Sequence, residues 1–273
     1  MATHSDLSAA LSRHFGFSGF RPGQEEIVRS VLEGRNTVAV MPTGAGKSLC
    51  YQLPAMLLPG TCLVVSPLVA LMKDQVDALT AKGIPATFVN SSIGEEERAQ
   101  RIQGIREGRF KLVYVAPERF RSPNFIRAIQ ETTLSLYAVD EAHCISQWGH
   151  DFRPDYMQLG RVRRALMPPR TLALTATATP EVRADIVRVL RMKDPHVFVA
   201  GFDRPNLFFQ AVEVEDERSK FREVLRACRL GGGVVYCATR RDVERVATKL
   251  ADQGVYALAY HAGMTEEGRR RIQ

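Results

Sequence analysis

The stretch MPTGAGKS (41–48) puts two glycines, a lysine and a hydroxyl into one short loop, a combination suited to holding phosphate. Gly44 and Gly46 let a loop wrap closely, with its backbone N–H groups turned inward. Pro42, Thr43 and Ala45 complete the cradle. Lys47 is placed to reach the β- and γ-phosphates of a nucleotide, and Ser48 to put its hydroxyl on Mg²⁺. The general pattern for such loops is GxxxxGK[ST], and Met41 stands at its first glycine position. The apolar run TVAVM (37–41) before the loop and a helical pattern after it supply the strand–loop–helix setting that this chemistry needs.

A second group, DEAH (140–143), ends the apolar run LYAVD. In a parallel sheet, acidic residues at a strand's C-terminal end face the ligand crevice. Asp140 is expected to hold Mg²⁺ through water, and Glu141 to position or deprotonate an attacking water. His143 completes the candidate catalytic set with Lys47, Asp140 and Glu141. Alone, DEAH would equally suit a solvated turn. Paired with the loop at Lys47, it reads as the other half of a site for ATP and Mg²⁺.

These groups need rigid elements to hold them. Short β-branched runs recur at 37–41, 61–66, 87–90, 111–116, 136–140 and 171–176, with helical stretches between them such as 67–80, 95–107 and 180–191. That alternation predicts an α/β fold with a parallel sheet covered on both faces. The six units fill residues 20 to about 200. Ahead of them, Leu7, Leu11 and Phe15 have the spacing of a short amphipathic helix. A second series follows GFDRPN (201–206), where glycine and proline mark a linker. It has strand-like runs at 207–214, 232–239 and 256–263, helices near 217–228 and 240–253, and the start of another helix in MTEEGRRRIQ. The expected division is therefore 1–200, a complete domain, and 201–273, an incomplete one of the same kind.

Composition bounds the partners. Of the 273 residues, 45% are hydrophobic and 25% charged, enough for a globular core. No run of 18 apolar residues occurs, so no membrane partner is expected, and the N-terminus has no secretory pattern. The net charge is +7, and only seven of the 37 basic residues are lysine. A surface rich in arginine favours polyanions and bidentate phosphate contacts. The five cysteines, Cys50, Cys62, Cys144, Cys228 and Cys237, are odd in number and widely spaced. They argue for a reducing compartment and against a disulfide frame or zinc site. Cys62 and Cys237 sit in apolar runs and read as core.

Over essentially its whole length the chain resembles the RecQ family of superfamily 2 DNA helicases. The resemblance rests on FRPGQEE (20–26), MPTGAGKSLCYQ (41–52), SPLVALMKDQV (66–76), APERF (116–120), DEAHCISQWGHDFRPDY (140–156), LTATAT (174–179), FDRPN (202–206) and YHAG (260–263). It implies a RecA-like P-loop NTPase domain followed by part of a second one. It implies ATP- and Mg²⁺-dependent 3′→5′ translocation on single-stranded DNA and unwinding of partly duplex DNA, in recombination and repair. The implied location is the cytoplasm, at the nucleoid in a bacterium, or the nucleus in a eukaryote.

By the same resemblance, Gln24 bonds the adenine edge, Arg21 supports it and Phe17 stacks on the base. From the residues alone, Phe15, Phe17 and Phe20 would equally be core. CISQWGHDFRPDY resembles an aromatic-rich loop in which Trp148 and Phe152 stack on unpaired bases, beside His150, while Gln147 or Arg153 links DNA to the ATP site. A lone tryptophan is otherwise commonly buried. Ser66, Thr239 and Arg240 match DNA-backbone contacts, and Thr175 and Thr177 match a coupling element that bonds the acids or His143. His261 stands either on the strand track or in packing. The family's second domain continues into a segment ending QxxGRxGR, which does not occur here. The expectation is a polypeptide that binds ATP and Mg²⁺, hydrolyses slowly and does not unwind. Two other readings are a DEAD/DEAH-type RNA helicase and a nucleotide- and DNA-binding module without turnover.

Overall fold

The β-branched runs assemble into one seven-stranded sheet in a computed structural model that describes residues 3–201 and 207–272. Its strands are β1 (Thr37–Val40), β2 (Thr61–Val65), β3 (Ala86–Val89), β4 (Leu112–Val115), β5 (Leu134–Val139), β6 (Thr171–Thr175) and β7 (His196–Val199). Their order is β3-β4-β2-β5-β6-β1-β7, and every neighbouring pair is parallel. Strands β1, β2 and β4 are buried throughout, as an unbroken apolar run requires when both faces are covered. The helices are α1 (His4–Phe15), α2 (Gln24–Leu32), α3 (Leu49–Leu57), α4 (Val69–Thr80), α5 (Glu95–Arg106), α6 (Pro123–Gln130), α7 (Leu159–Leu166) and α8 (Pro180–Val189). In α1, Leu7, Leu11 and Phe15 are buried, and Thr3 and Asp6 form a reciprocal cap at its start.

Six strands coincide with the sequence runs; β7 was not anticipated. Its residues HVFV alternate between half-buried and exposed, because it is an edge strand paired only with β1. It also supports the site. Gly23 has φ +81, and a Cβ there would fall 2.5 Å from Cζ of Phe198. The close approach of Phe198 sets the turn from which Gln24 projects.

Because all strands run in one direction, their C-terminal ends gather on one edge. Backbone bonds lock the loops that leave it: Met41 N donates to Thr175 O (3.0 Å), Ser66 N to Val115 O (3.1 Å) and Asp140 N to Val65 O (2.8 Å). The chain divides into two units, Met1–Asp203 and Arg204–Gln273. The expected linker lies outside the described residues except for Gly201. In the second unit the expected helices form, as α9 (Glu217–Cys228), α10 (Arg240–Asp252) and α11 (Glu266–Ile272). The expected strands at 207–214, 232–239 and 256–263 do not: among the described residues they join no ladder. Phe208, Tyr236 and Tyr256 along them are almost fully exposed. β-propensity fits a residue to a pleated surface, but a strand exists only by pairing. Cys237 is accordingly half-buried rather than core, whereas Cys62 is fully buried. Among the described residues, no helix is long and apolar enough to cross a membrane.

Candidate active site

The loop after β1 and the turn after β5 face a common cavity of about 300 Å³, lined by Gly44, Gly46, Lys47, Ser48, Asp140 and Glu141. Gly44 and Gly46 have φ of +83° and +79°, the left-handed region that lets successive N–H groups converge. The loop ends at Ser48, which starts α3 in helical geometry, so the free N–H groups of that helix also point to the site. Lys47 Nζ lies 3.4 Å from Met41 O across the loop.

The FRPGQ segment braces this loop from behind. Gln24 is buried, and its Nε2 donates to Ala45 O (3.1 Å) and Gly46 O (3.0 Å). Its Oε1 accepts from Arg21 N (2.8 Å), and Arg21 Nη1 donates to Gly44 O. Holding these carbonyls back turns the opposite N–H groups forward. This differs from the sequence expectation: both amide hydrogens of Gln24 are engaged with the loop rather than left open for adenine. None of Phe17, Arg21 and Gln24 lines the cavity. Phe17 is half exposed with Lys82 Nζ 5.9 Å from its ring centre, so it is not core either.

Asp140 is partly buried, and desolvation together with the adjacent Glu141 charge raises its pKa to about 6, against the pull of the Glu141 N–H and Lys47. Tyr156, fully buried, donates its hydroxyl to Asp140 O (3.1 Å) and fixes the turn. Glu141 follows with φ and ψ both near +46, the left-handed region that a non-glycine residue seldom adopts. That twist directs its carboxylate at the cavity rather than along the strand. Because the raised Asp140 pKa lies above the unfolded value of 3.8, the folded state retains the extra proton between pH 3.8 and 6. The stability of the metal-free protein therefore falls as pH rises through that window. Binding of Mg²⁺ needs the carboxylate, so Mg²⁺-dependent nucleotide affinity should weaken as pH drops below about 6. The loss should reach about tenfold per unit. Nucleotide titrations with and without Mg²⁺ across pH 5–8 check this, and an equal pH response in both would refute it.

His143 is buried between the two loops. Its Nδ1 lies 2.8 Å from Thr175 Oγ1 and 3.3 Å from Glu141 Oε2. Its ring stacks on His150 at 4.1 Å. Burial, helped by His150, lowers its pKa to about 4 and keeps the ring neutral. Thr175 in turn donates to Thr177 O (3.0 Å), and Thr177 Oγ1 lies 3.4 Å from His150 Nδ1. The threonines, the DEAH turn and the aromatic loop thus form one connected network.

The aromatic loop presents Trp148, 80% exposed, with Gln147 exposed and Phe152 half-buried beside it. Ser146 Oγ anchors it by donating to Asp185 Oδ2 in α8 (2.7 Å), and also accepts from Trp148 N (3.2 Å). Gly149 packs so closely on His143 O that a Cβ there would clash. Arg153 pairs with Asp151 and donates to Pro67 O (3.0 Å), joining the loop to the turn after β2. Ser66, expected on the DNA track, is buried there and lines the cavity with the phosphate loop. In the second unit, Thr239 caps α10: its Oγ1 accepts from Asp242 N (3.1 Å) and donates to Asp242 Oδ2 (2.7 Å). A phosphate there would compete with that carboxylate. Arg240 is exposed, and His261 lies 3.2 Å from Glu244. Reading the sequence missed Tyr51 and Tyr114 in the cavity wall, Tyr156 on the Asp140 carbonyl and Asp185 beneath Ser146. Their contacts are long-range and carry no local pattern.

Residues 21–186 match the DEAD/DEAH box helicase family. The chain is 46% identical over 265 residues to the ATP-dependent DNA helicase RecQ of Bacillus subtilis, covering 96% of this chain and 45% of that protein. It is 40% identical over 271 residues to the probable ATP-dependent DNA helicase RecS of Bacillus subtilis, covering 98% of this chain and 54% of that one. It thus spans about half the length of these relatives. Among solved structures, the Mycobacterium smegmatis helicase Lhr bound to ssDNA and AMP-PNP superposes with a TM-score of 0.65 at 19% identity, over 97% of this chain and 39% of that one. That likeness shows a shared RecA-like α/β fold. With the phosphate loop and the DEAH turn on one sheet edge, the chain belongs to the DEAD/DEAH box helicase family.

Proposed function

We propose that this chain provides the ATP-hydrolysing and DNA-contacting core of a 3′→5′ DNA helicase that acts on single-stranded and partly duplex DNA. The observation that carries the reading is the connection of two sites: the turn bearing Asp140 and Glu141 continues directly into a loop that exposes Trp148. The polarity rests on the family alone.

The donors beside Lys47 are the Ser48 hydroxyl and the Asp140 carboxylate, hard oxygen ligands that fit Mg²⁺. Ser48 and Asp140 would hold the ion, which neutralises charge on the β- and γ-phosphate oxygens when bound. The loop N–H groups and Lys47 bind and orient the phosphates. Glu141 orients a water and takes its proton, while His143 Nδ1 steadies the carboxylate. A base stacked on Trp148 acts on a loop packed against His143 O through Gly149 and tied to Pro67 through Arg153. Strand binding can therefore reach both walls of the cavity.

Trp148→Ala should weaken single-stranded DNA binding by about 1–3 kcal/mol, the usual value of one base–aromatic stack. Fluorescence of the single tryptophan on adding DNA provides the matching readout in the parent chain. Emission and affinity both indifferent to the residue would remove it from the DNA path. The reading as a whole is tested by ATPase stimulation with single-stranded DNA against RNA of equal length. Preferential stimulation by DNA is expected, and stimulation by RNA alone would replace this reading with that of an RNA helicase.

A further inference from the structure

We propose that His143, Cys144 and Asp151 form a second metal site, for a thiophilic divalent ion of the zinc class, separate from the Mg²⁺ position at Ser48 and Asp140. The cysteine spacing in the sequence gives no sign of it, because the fold supplies two of its three ligands from neighbouring residues and brings the third back from the aromatic loop. One potential ligand atom from each of the three lies within 4.8 Å of the other two. His143 Nε2 is 3.8 Å from Cys144 Sγ, and Cys144 Sγ is 3.8 Å from Asp151 Oδ2. A tetrahedral ion with a sulfur bond near 2.3 Å and nitrogen or oxygen bonds near 2.0 Å sets neighbouring ligand atoms about 3.5 Å apart. The two sulfur separations are close to that value, and the histidine and aspartate atoms, within 4.8 Å of each other, must draw in on an ion between them.

The surrounding bonds prepare the imidazole. Thr175 spends its hydroxyl hydrogen on Thr177 O and so accepts at His143 Nδ1, where Glu141 Oε2 is also an acceptor. The ring proton therefore sits on Nδ1, and the Nε2 lone pair faces the sulfur, the tautomer that metal ligation requires. Binding breaks the Cys144 S–H bond and releases one proton to solvent, with the thiolate pair taken by the ion. The fourth position is left to water. The competitor is Arg153, whose Nε and Nη2 donate to the same Asp151 Oδ2 at 3.0 and 2.8 Å. A bound ion would tie the DEAH turn to the aromatic loop and hold both in one position. Inhibition of DNA-stimulated turnover is the expected consequence, and that part rests on the function proposed above.

The test begins with binding alone, on the whole 273-residue chain. Titration with Co²⁺ should raise a thiolate-to-cobalt charge-transfer band that saturates at one equivalent and is displaced by Zn²⁺. Cys144→Ser and Asp151→Asn should each weaken it by at least about tenfold. Asp151→Asn, in a half-exposed loop, serves if the buried cysteine variant fails to fold. Cys228→Ser and Cys237→Ser should leave the band unchanged, and Arg153→Gln should strengthen binding. Absence of the band, or a band unaltered in both ligand variants, overturns the site. With DNA-stimulated ATPase as a second readout, Zn²⁺ should inhibit the parent chain reversibly with chelator and spare Asp151→Asn. Binding without inhibition rejects the clamp, whereas no turnover even in metal-free protein counts against the helicase reading and leaves the cobalt result to decide the site.

Discussion

Glu141→Gln should lower ATP hydrolysis by about 10²–10⁴-fold, the range a general base contributes, while nucleotide affinity stays within about twofold. Glu141 lines the cavity but supplies no phosphate cradle, since that is built from backbone N–H groups and Lys47. The amide retains the shape of the carboxylate and can still accept from His143 Nδ1, 3.3 Å away in the parent protein. It cannot take a proton from water. The substitution also removes the charge that helps raise Asp140, so the Asp140 pKa should come down and Mg²⁺ binding should hold or tighten. This separates Glu141→Gln from Asp140→Asn, which should lose Mg²⁺-dependent binding and turnover together. Single-turnover phosphate release with a parallel nucleotide titration distinguishes the two. Turnover by Glu141→Gln at the parent rate would assign the water to another residue.

How much of this was legible beforehand depends on how local each signal is. The phosphate loop was readable because its chemistry lies in eight consecutive residues between a strand and a helix, and Gly44 and Gly46 are left-handed where the loop needs them. The β5 run ending in Asp140 was readable for the same reason. Strand β7 was not, because an edge strand needs only one covered face and its four residues alternate too briefly to stand out. The second unit went wrong in the opposite direction. GGVVYCAT has the composition of a strand, but its ladder partners are not local, and the described residues supply none. At the site, residue types were visible but bonding was not. Gln24 was expected to face a base, yet its two amide hydrogens have closer acceptors at Ala45 and Gly46, which the turn at Gly23 and the edge strand behind it bring within 3.1 Å. The Ser146–Asp185 anchor spans 39 residues and the Tyr156–Asp140 bond 16, and neither has a sequence pattern.

Lys47→Ala should raise the dissociation constant for ATP on the order of 10²-fold and bring turnover below detection. The ammonium is the only cationic side chain among the residues lining the cavity. A hydrogen bond to a charged group contributes about 1.5–3 kcal/mol, and a lysine shared between two phosphates should stand at the upper end, or about 100-fold. Its loss should scale with phosphate number: large for ATP, smaller for ADP and negligible for AMP, because the lysine addresses the outer phosphates. Arginine should not restore function, since its planar fork is wider than the ammonium and cannot sit as a point charge within the Gly44–Gly46 wrap. The fold should be indifferent, as among the described residues the only side-chain hydrogen bond of Lys47 is a long one, 3.4 Å to Met41 O. A melting temperature near that of the parent would accordingly show that lost affinity is chemical and not structural. Titration of the three nucleotides against parent and variant, followed by fluorescence or calorimetry, gives the full pattern. If Lys47→Ala binds ATP as tightly as the parent, the loop at 41–48 does not cradle phosphate, and the catalytic roles assigned to Asp140 and Glu141 fall with it.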